Sequence, residues 1–470
     1  MAFNSFPFIF VFLPAVLIVY YVLHKRHLVV PARMWLVGVS LFFYGSINRY
    51  YVLVLLSSIG INYLLGMGIQ EIRGARIQRI ALLILGISLN LVLLAYFKYY
   101  DFFISNANLV FQTGFHPLEI LLPVGISFFT FQQVSYLIDL FRGQAKRAGF
   151  LDYLLFVAFF PKLINGPLLY HESIAQFQGK NPEVVNYDNL SKGLYIFFVG
   201  LFKKMVIADT LSIFVAKGFD HSTVLTFTEG WITSLSYTFQ IYFDFSGYTD
   251  MAIGLAWMFN IALPFNFNSP YHATNIGEFW NRWHMTLTRF LRDYLYIPLG
   301  GNRGGELNTF RNILVTFLFC GVWHGAGWTF ISWGFLHGLA LIFSRLWNRL
   351  NLSVPSVVGW FVTFSFINVS WIFFRAKNLA EASNVLRAMF GFTTLRGVSI
   401  YADMGLLDIS FSLMICIIAL LIVSCKKNSN DFSYHFAPSK RKMIILVFLI
   451  VTSMVYLNSV VPKGFIYNDF

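Results

Sequence analysis

YFDFSGYTDMAIGLA (Tyr242–Ala256), NSPYHATNIGEFWNRWHMTLTRFLRDYLYIPLGGNRGG (Asn268–Gly305) and CGVWHGAGWTFISWGFLHG (Cys320–Gly338) follow one another in the stretch from Tyr237 to Gly338. They set histidines, arginines, carboxylates and paired tryptophans inside a chain that is otherwise strongly apolar. Polar side chains are costly in hydrocarbon, and a membrane protein that gathers them does so for binding or chemistry.

Outward from this stretch the chain reads as an all-α, polytopic membrane protein. It is 57% hydrophobic and 19% aromatic with only 12% charged residues, against about 25% charged in an average soluble domain. Apolar runs long enough to cross about 30 Å of hydrocarbon as helix fall near 6–23, 34–48, 51–69, 80–97, 118–141, 150–170, 190–208, 230–260, 309–323, 328–347, 356–374, 408–425 and 443–460. Pro123-Val124-Gly125 and Pro161 to Pro167 put helix breakers inside two of them. The expectation is about 11 to 13 membrane segments, some of them re-entrant or interfacial, in one integral-membrane domain over 1–470 whose motif-dense core is 161–376.

The basic run His24 to His27 follows the first segment and no basic region precedes it, which argues against a cleavable signal and places the N-terminus outside. Arg73, Arg76 and Arg79, then Arg142, Lys146 and Arg147, alternate with a loop at 100–117 that carries almost no basic charge, as the positive-inside rule requires. The basic loop from Cys425 to Lys442 is cytoplasmic by the same rule and leaves the C-terminus outside. The net charge of +13 is then positive-inside bias and contact with anionic lipid, not a nucleic-acid surface. Cys320, Cys416 and Cys425 form no CxxC motif and no disulfide framework. Polar stretches are too short for a soluble catalytic domain of on the order of 100 residues, so any chemistry sits within the membrane body. No internal repeat is legible, unlike many secondary transporters.

His324, in WHG at the end of an apolar run, is a natural general base near neutral pH; Trp323 and Trp328 would wall off water. The plainer reading is an interfacial histidine in an aromatic belt. His284 lies in EFWNRWHMTLTRFLRDYLYIPLG, which reads as one amphipathic helix, either anchored at headgroups by Arg282, Arg289 and Arg292 or lining a polar cavity; Arg289 and Asp293 are spaced to pair. Asp244 and Asp250 are the clearest intramembrane carboxylates, free to pair with those arginines or to accept hydrogen bonds from Tyr242, Ser246 or Tyr248, which makes them structural more readily than proton carriers. His272 and His337 read as packing or interface histidines. Cys320 stands four residues before His324, on one helical face, but a buried cysteine is ordinarily an inert small apolar residue. No metal-ligand spacing such as HExxH occurs. The loop PLGGNRGG (Pro298–Gly305) is a turn before it is a phosphate cradle, since neither a P-loop nor a dinucleotide fingerprint is present.

The ordered set PKLINGPLLYHESIAQF (Pro161–Phe177), YTFQIYFDFSGYTDMAIGLA (Tyr237–Ala256), FNFNSPY (Phe265–Tyr271), FWNRWHMTLTRFLRDYLYIPLGGNRGG (Phe279–Gly305), GVWHGAGWTFISWGFLHG (Gly321–Gly338) and WIFFRA (Trp371–Ala376) resembles the membrane-bound O-acyltransferases, in particular their bacterial alginate and peptidoglycan O-acetyltransferase membrane-subunit branch. The ending GFIYNDF (Gly464–Phe470) is similar to that branch's aromatic C-terminus. The resemblance implies that His324 is the catalytic residue and His284 a second required one, with Trp323, Arg282, Asp244, Asp250 and Arg289 lining the channel or substrate path. Asn281 departs from the family's pattern, standing where an arginine is frequent and leaving Arg282 as the charge between the two tryptophans.

The resemblance further implies a multi-pass protein of the bacterial cytoplasmic (inner) membrane that takes acetyl from a cytoplasmic donor, acetyl-CoA, and passes it across the membrane for O-acetylation of an extracytoplasmic polysaccharide. No permanently bound cofactor and no metal are expected. An extracytoplasmic partner of the SGNH-hydrolase type would place the acetyl group on the polymer. A transporter or flippase of polysaccharide precursors, with no chemistry of its own, is the alternative class.

Overall fold

The computed structural model describes residues 1–72, 76–178, 185–221, 224–392, 404–425, 427–434, 436–459 and 464–466. Arg73, Lys426 and the last four residues of GFIYNDF, which entered the reading above, lie outside them. The described residues are helical throughout, with turns and extended connections and no strand. Among the described residues, six helices are long and apolar enough to cross a membrane: Pro7–Lys25, Arg49–Glu71, Arg76–Phe111, Trp328–Arg349, Ser356–Arg375 and Lys440–Asn458; Val29–Gly45 and Leu407–Val423 are shorter apolar helices. Leu53, Leu64, Val357, Phe361, Leu421 and Val451 point outward from these helices. Water would penalise that apolar surface and hydrocarbon accepts it. The chain is a multi-pass membrane protein.

It divides into two compact units. The first comprises residues 1–198, 248–264 and 438–446. Here the two breaker-containing segments are interrupted where the prolines and glycines stand: residues 112–125 are non-helical before helix Ile126–Arg142, and the chain from 150 forms Phe150–Ala158, the single turn Phe160–Leu163 and then extended chain. A backbone broken at this depth must have its freed groups satisfied by protein. Gln132 Nε2 donates to Phe156 O at 2.6 Å and Lys162 Nζ to Val157 O at 2.7 Å, capping the end of helix Phe150–Ala158. Ser40 Oγ accepts from Phe160 N at 3.1 Å, and Tyr44 OH donates to Val124 O at 2.9 Å. Gly125, at φ 78°, passes so close to the second break that a Cβ there would lie 2.5 Å from Leu163 O. The prolines open the helices and these side chains close the account of hydrogen bonds.

One expected loop is helical. The chain runs on without a break from Arg76 through Tyr100–Phe111, because no proline interrupts it before Pro117 and the one glycine within it, Gly86, is carried inside the helix. Asp101 then accepts from Leu118 N at 2.7 Å and Glu119 N at 3.1 Å, fastening the return of the chain.

The second unit comprises residues 199–247, 265–437 and 447–470. Its main elements are the first part of the long helix Phe227–Met258 (α1), the short helices Ile276–Arg282 (α2) and Met285–Leu291 (α3), and the helices Glu306–His324 (α4), Trp328–Arg349 (α5) and Ser356–Arg375 (α6). Helices α4 and α5 form a hairpin packed closely along its length. Glycines make that approach possible: a Cβ on Gly321 would fall 2.3 Å from Phe330 O, and one on Gly334 2.3 Å from Phe317 O. Small residues at a crossing let backbones meet where lipid gives no hydrophobic drive for association.

Candidate active site

His324 is the last residue of α4 and is buried at 3% exposure. Its ring lies 4.8 Å from that of Trp323, 5.1 Å and nearly perpendicular to that of Trp333, and 5.0 Å from that of Phe374. The α4–α5 hairpin supplies three of these four rings and α6 the fourth. Trp333 stacks on Trp371 at 5.9 Å, and Trp371 lies 4.9 Å from Trp283. The histidine at the end of α4 is thus enclosed by aromatic carbon.

His284 belongs to the same cluster. Its ring is 6.3 Å from that of Trp323 and 4.8 Å, edge-on, from Phe245 of α1, and the residue is fully buried. The single amphipathic helix read from the sequence is not what forms here. It is broken: Trp283 is extended, His284 adopts the left-handed conformation (φ 43°, ψ 52°), and helix α3 starts anew at Met285. Such a backbone costs on the order of 1 kcal/mol or more and needs outside support. That support is the loop before α2, where Asn268 N donates to Arg282 O at 2.9 Å and Asn266 O accepts from Met285 N at 2.9 Å. Helix α2 is capped by Asn275 Oδ1 accepting from Glu278 N at 2.9 Å. Burial pushes the His284 imidazole down to about 3, so it is neutral throughout the neutral range.

The other expected site residues fall in different places. Trp323 stands between the two histidines in the ring network. Arg282 is a third exposed and spends its guanidinium on Glu278, at 3.0 Å, and on Asn268 O, at 3.0 Å; it braces α2. Burial alone would raise the Glu278 carboxyl, yet donation from Thr274 and the Arg282 charge hold it below its ordinary value. Arg289 pairs with Asp293 at 3.5 Å on the more exposed face of α3, as its spacing predicts. Asp250 is buried in the first unit, on the later part of α1.

Asp244 is where the sequence reading needs correcting. Its partner is not one of the arginines but Lys204, in an ion pair buried on both sides, and Lys204 also reaches Asp209 at 2.8 Å. The cluster binds the end of the described chain: Lys204 Nζ donates to Gly464 O at 2.8 Å, Ile466 N donates to Asp244 Oδ2 at 3.0 Å, and Phe465 is buried against it. Lys204 and Asp209 were passed over in the sequence, although a lysine and an aspartate within the apolar run 190–208 and its edge are the kind of feature that marks a buried partner.

His337 is a structural histidine. Trp280 Nε1 donates to its Nδ1 at 3.1 Å, which fixes the proton on Nε2, and Nε2 donates to Ser370 Oγ at 3.1 Å while Ser370 passes its own proton to Ile367 O at 2.8 Å. His272 sits half-buried at the end of a single helical turn. Cys320 is a buried free thiol. The glycine-rich loop is a turn stapled by Asn302, which accepts from Tyr296 OH at 2.7 Å and Arg345 Nη1 at 3.1 Å, and by Asn312 donating to Gly301 O at 3.0 Å. No three His, Cys, Asp or Glu side chains among the described residues gather as a metal would need.

Two buried histidines, joined through the ring of Trp323, thus lie in an aromatic cluster of an integral-membrane protein. The profile of the membrane-bound O-acyltransferase family (MBOAT) matches residues 122–381. The chain is similar to the peptidoglycan O-acetyltransferase of Helicobacter pylori, at 45% identity over 91% of this chain and 90% of the relative. It is similar to the probable alginate O-acetylase AlgI of Pseudomonas aeruginosa, at 40% identity over 84% of this chain and 76% of the relative, and more distantly to the teichoic acid D-alanyltransferase of Bacillus subtilis, at 28% identity over 56% and 71%. The chain belongs to the membrane-bound O-acyltransferase family and is an O-acyltransferase.

Proposed function

We propose that this O-acyltransferase moves an acetyl group from acetyl-CoA, arriving from the cytoplasm, to a hydroxyl destined for O-acetylation of an extracytoplasmic polysaccharide of the peptidoglycan or alginate type. The observation that carries the reading is His324, enclosed by Trp323, Trp333 and Phe374 at the end of α4, in a chain whose named relatives acetylate such polymers.

In this reading a neutral His324 takes the proton of the acceptor hydroxyl as its oxygen attacks the thioester carbonyl. The new C–O bond forms, the C–S bond breaks, and the thiolate of CoA leaves with the proton that His324 held. The indole N–H of Trp333 is buried and has no hydrogen-bond partner among the described residues. A buried donor left unspent calls for a ligand or water, and beside His324 it suits the oxyanion that develops on the carbonyl. His284, neutral and close to Trp323, is the second required residue. The aromatic walls exclude the water that would otherwise hydrolyse the thioester.

The acceptor-side delivery belongs to an extracytoplasmic SGNH-hydrolase-type partner, with this chain in the bacterial cytoplasmic membrane, both termini outside and no permanently bound cofactor. The test is transfer of labelled acetyl from acetyl-CoA by the purified protein in liposomes with such a partner. His324→Ala should lower turnover about 10²- to 10⁴-fold while the protein stays folded. Equal turnover by wild type and His324→Ala would remove the histidine from the chemistry, and no transfer by wild type would remove the donor assignment.

A further inference from the structure

The left-handed turn at His284 is held by contacts from outside its own helices. The loop before α2 reaches it on both flanks: Asn268 N bonds to Arg282 O ahead of the histidine, and Asn266 O accepts from Met285 N behind it. Asn266 adds a side-chain bond, its Oδ1 accepting from Thr286 Oγ1 at 2.6 Å. Both side chains are buried, Asn266 completely. Asn266 therefore bonds the two residues that follow His284, one through its backbone and one through its carboxamide.

The loop is itself held from a third place. Asn430 Nδ2 donates to Phe267 O at 2.7 Å, and Asn428 Nδ2 to Asn268 Oδ1 at 2.9 Å and Ser269 Oγ at 3.0 Å. Lys203 Nζ fastens the same segment through Ser429 Oγ at 2.7 Å. The bonds run in order from the stretch 428–430, to the loop 266–269, to the turn that aims His284 at Trp323.

We propose that Asn266 is a positioning residue for His284: its carboxamide and carbonyl hold the turn 284–286 in the left-handed form that brings the imidazole against Phe245 and Trp323. Without the Thr286 bond the turn relaxes toward ordinary helix, since the adjoining sequence is already helix-forming, and relaxation swings the imidazole off its position. A displacement on the order of 1 Å is enough to cost about 10²-fold in rate. The consequence for turnover rests on the acetyl-transfer reading above; the consequence for the turn does not.

The test uses the whole protein in detergent, with Asn266→Ala, Thr286→Val and Thr286→Ser. Hydrogen exchange of the peptide covering 279–291 is measured beside that covering 356–375 as a control. Acetyl transfer is measured on the same samples. Asn266→Ala and Thr286→Val should each speed exchange at 284–288 about tenfold or more while the control peptide keeps its protection, and each should lower kcat about tenfold or more with KM for acetyl-CoA changed by less than about twofold. Thr286→Ser keeps the hydroxyl and should match wild type in both. Unchanged exchange in Thr286→Val, or loss of protection in the control peptide as well, would overturn the proposal. So would a Thr286→Ser variant as impaired as Thr286→Val. If wild type transfers no acetyl, the exchange arm still decides the role of Asn266 and only the functional reading falls.

Discussion

His284 and His324 both lie against the indole of Trp323, whose ring is 6.3 Å from the first and 4.8 Å from the second. Trp323 immediately precedes His324 on α4, and His284 comes from a turn nearly forty residues earlier in the chain. The indole therefore spaces two rings that no local geometry relates. Trp323→Phe keeps an aromatic face of smaller size and should hold turnover within about tenfold of wild type. Trp323→Ala opens a cavity that both imidazoles can lean into and should lower turnover about 10²-fold. Comparing kcat for the two variants checks this, and wild-type turnover in Trp323→Ala would show that the indole does not set the spacing.

Lys204, Asp244 and Asp209 form a cluster in which the lysine bridges the two carboxylates, with side chains between 2% and 6% exposed. Removing one member of a buried ion pair costs about 3–5 kcal/mol, because a charge is left without compensation, whereas removing all the charges together can be neutral. Lys204→Met should therefore lower the unfolding midpoint sharply and release the chain at Gly464–Ile466. The triple variant Lys204→Met, Asp209→Asn, Asp244→Asn should recover much of the stability but not the tail contact. Limited proteolysis of the C-terminus, read beside the thermal midpoint, separates the two effects. A single variant as stable as wild type would mean the cluster carries no net charge burden.

What the sequence made legible was whatever acts locally. Pro123-Gly125 and Pro161–Pro167 break helices because a ring without an N–H and a positive φ act at their own positions, and the structure is broken there. Arg289 and Asp293 pair because four residues of helix separate them. The two histidines stood out as polar residues in apolar surroundings. The break at His284 was hidden because no glycine or proline marks it: the amphipathic pattern continues through it, and the turn is imposed by Asn266 and Asn268 from another loop. The link from Lys204 to Asp244, forty residues on, was hidden in the same way, although Asp209, five residues on, stood close enough to have marked the lysine as paired. Arg282 was available to Asp244 on paper, yet Glu278, one turn back on the same helix, claims it first.

His337 accepts from Trp280 and donates to Ser370, and both of its nitrogens are engaged. Such a residue fixes α2, α5 and α6 together and takes no proton in turnover. His337→Ala orphans a buried indole N–H and a hydroxyl and opens space among Trp280, Trp333 and Trp371, for a loss of about 3 kcal/mol. The variant should unfold at lower temperature and, assayed well below that temperature, keep kcat within a few-fold of wild type. A variant with full stability and no turnover would reverse the assignment and move His337 into the chemistry.

His284 gives the clearest dependence on pH. Burial holds its imidazole at about 3 in the folded protein, while an unfolded histidine titrates near 6.5. Above pH 6.5 both states are neutral and the difference contributes nothing. As pH falls below 6.5 the unfolded chain binds a proton that the folded chain refuses, so stability declines with acid down to about pH 3, by roughly 1.4 kcal/mol per pH unit. Between pH 7.5 and pH 5 this amounts to about 2 kcal/mol. Asn tolerates the left-handed backbone and does not titrate, so His284→Asn should remove that part of the acid sensitivity while leaving the turn in place. Thermal unfolding of the two proteins at pH 7.5 and pH 5 makes the comparison, with the gap between the two pH values narrowing by several degrees in His284→Asn. An equal gap in both proteins would mean that His284 already reaches a proton in the folded state, through water or a polar neighbour that opens to it in solution.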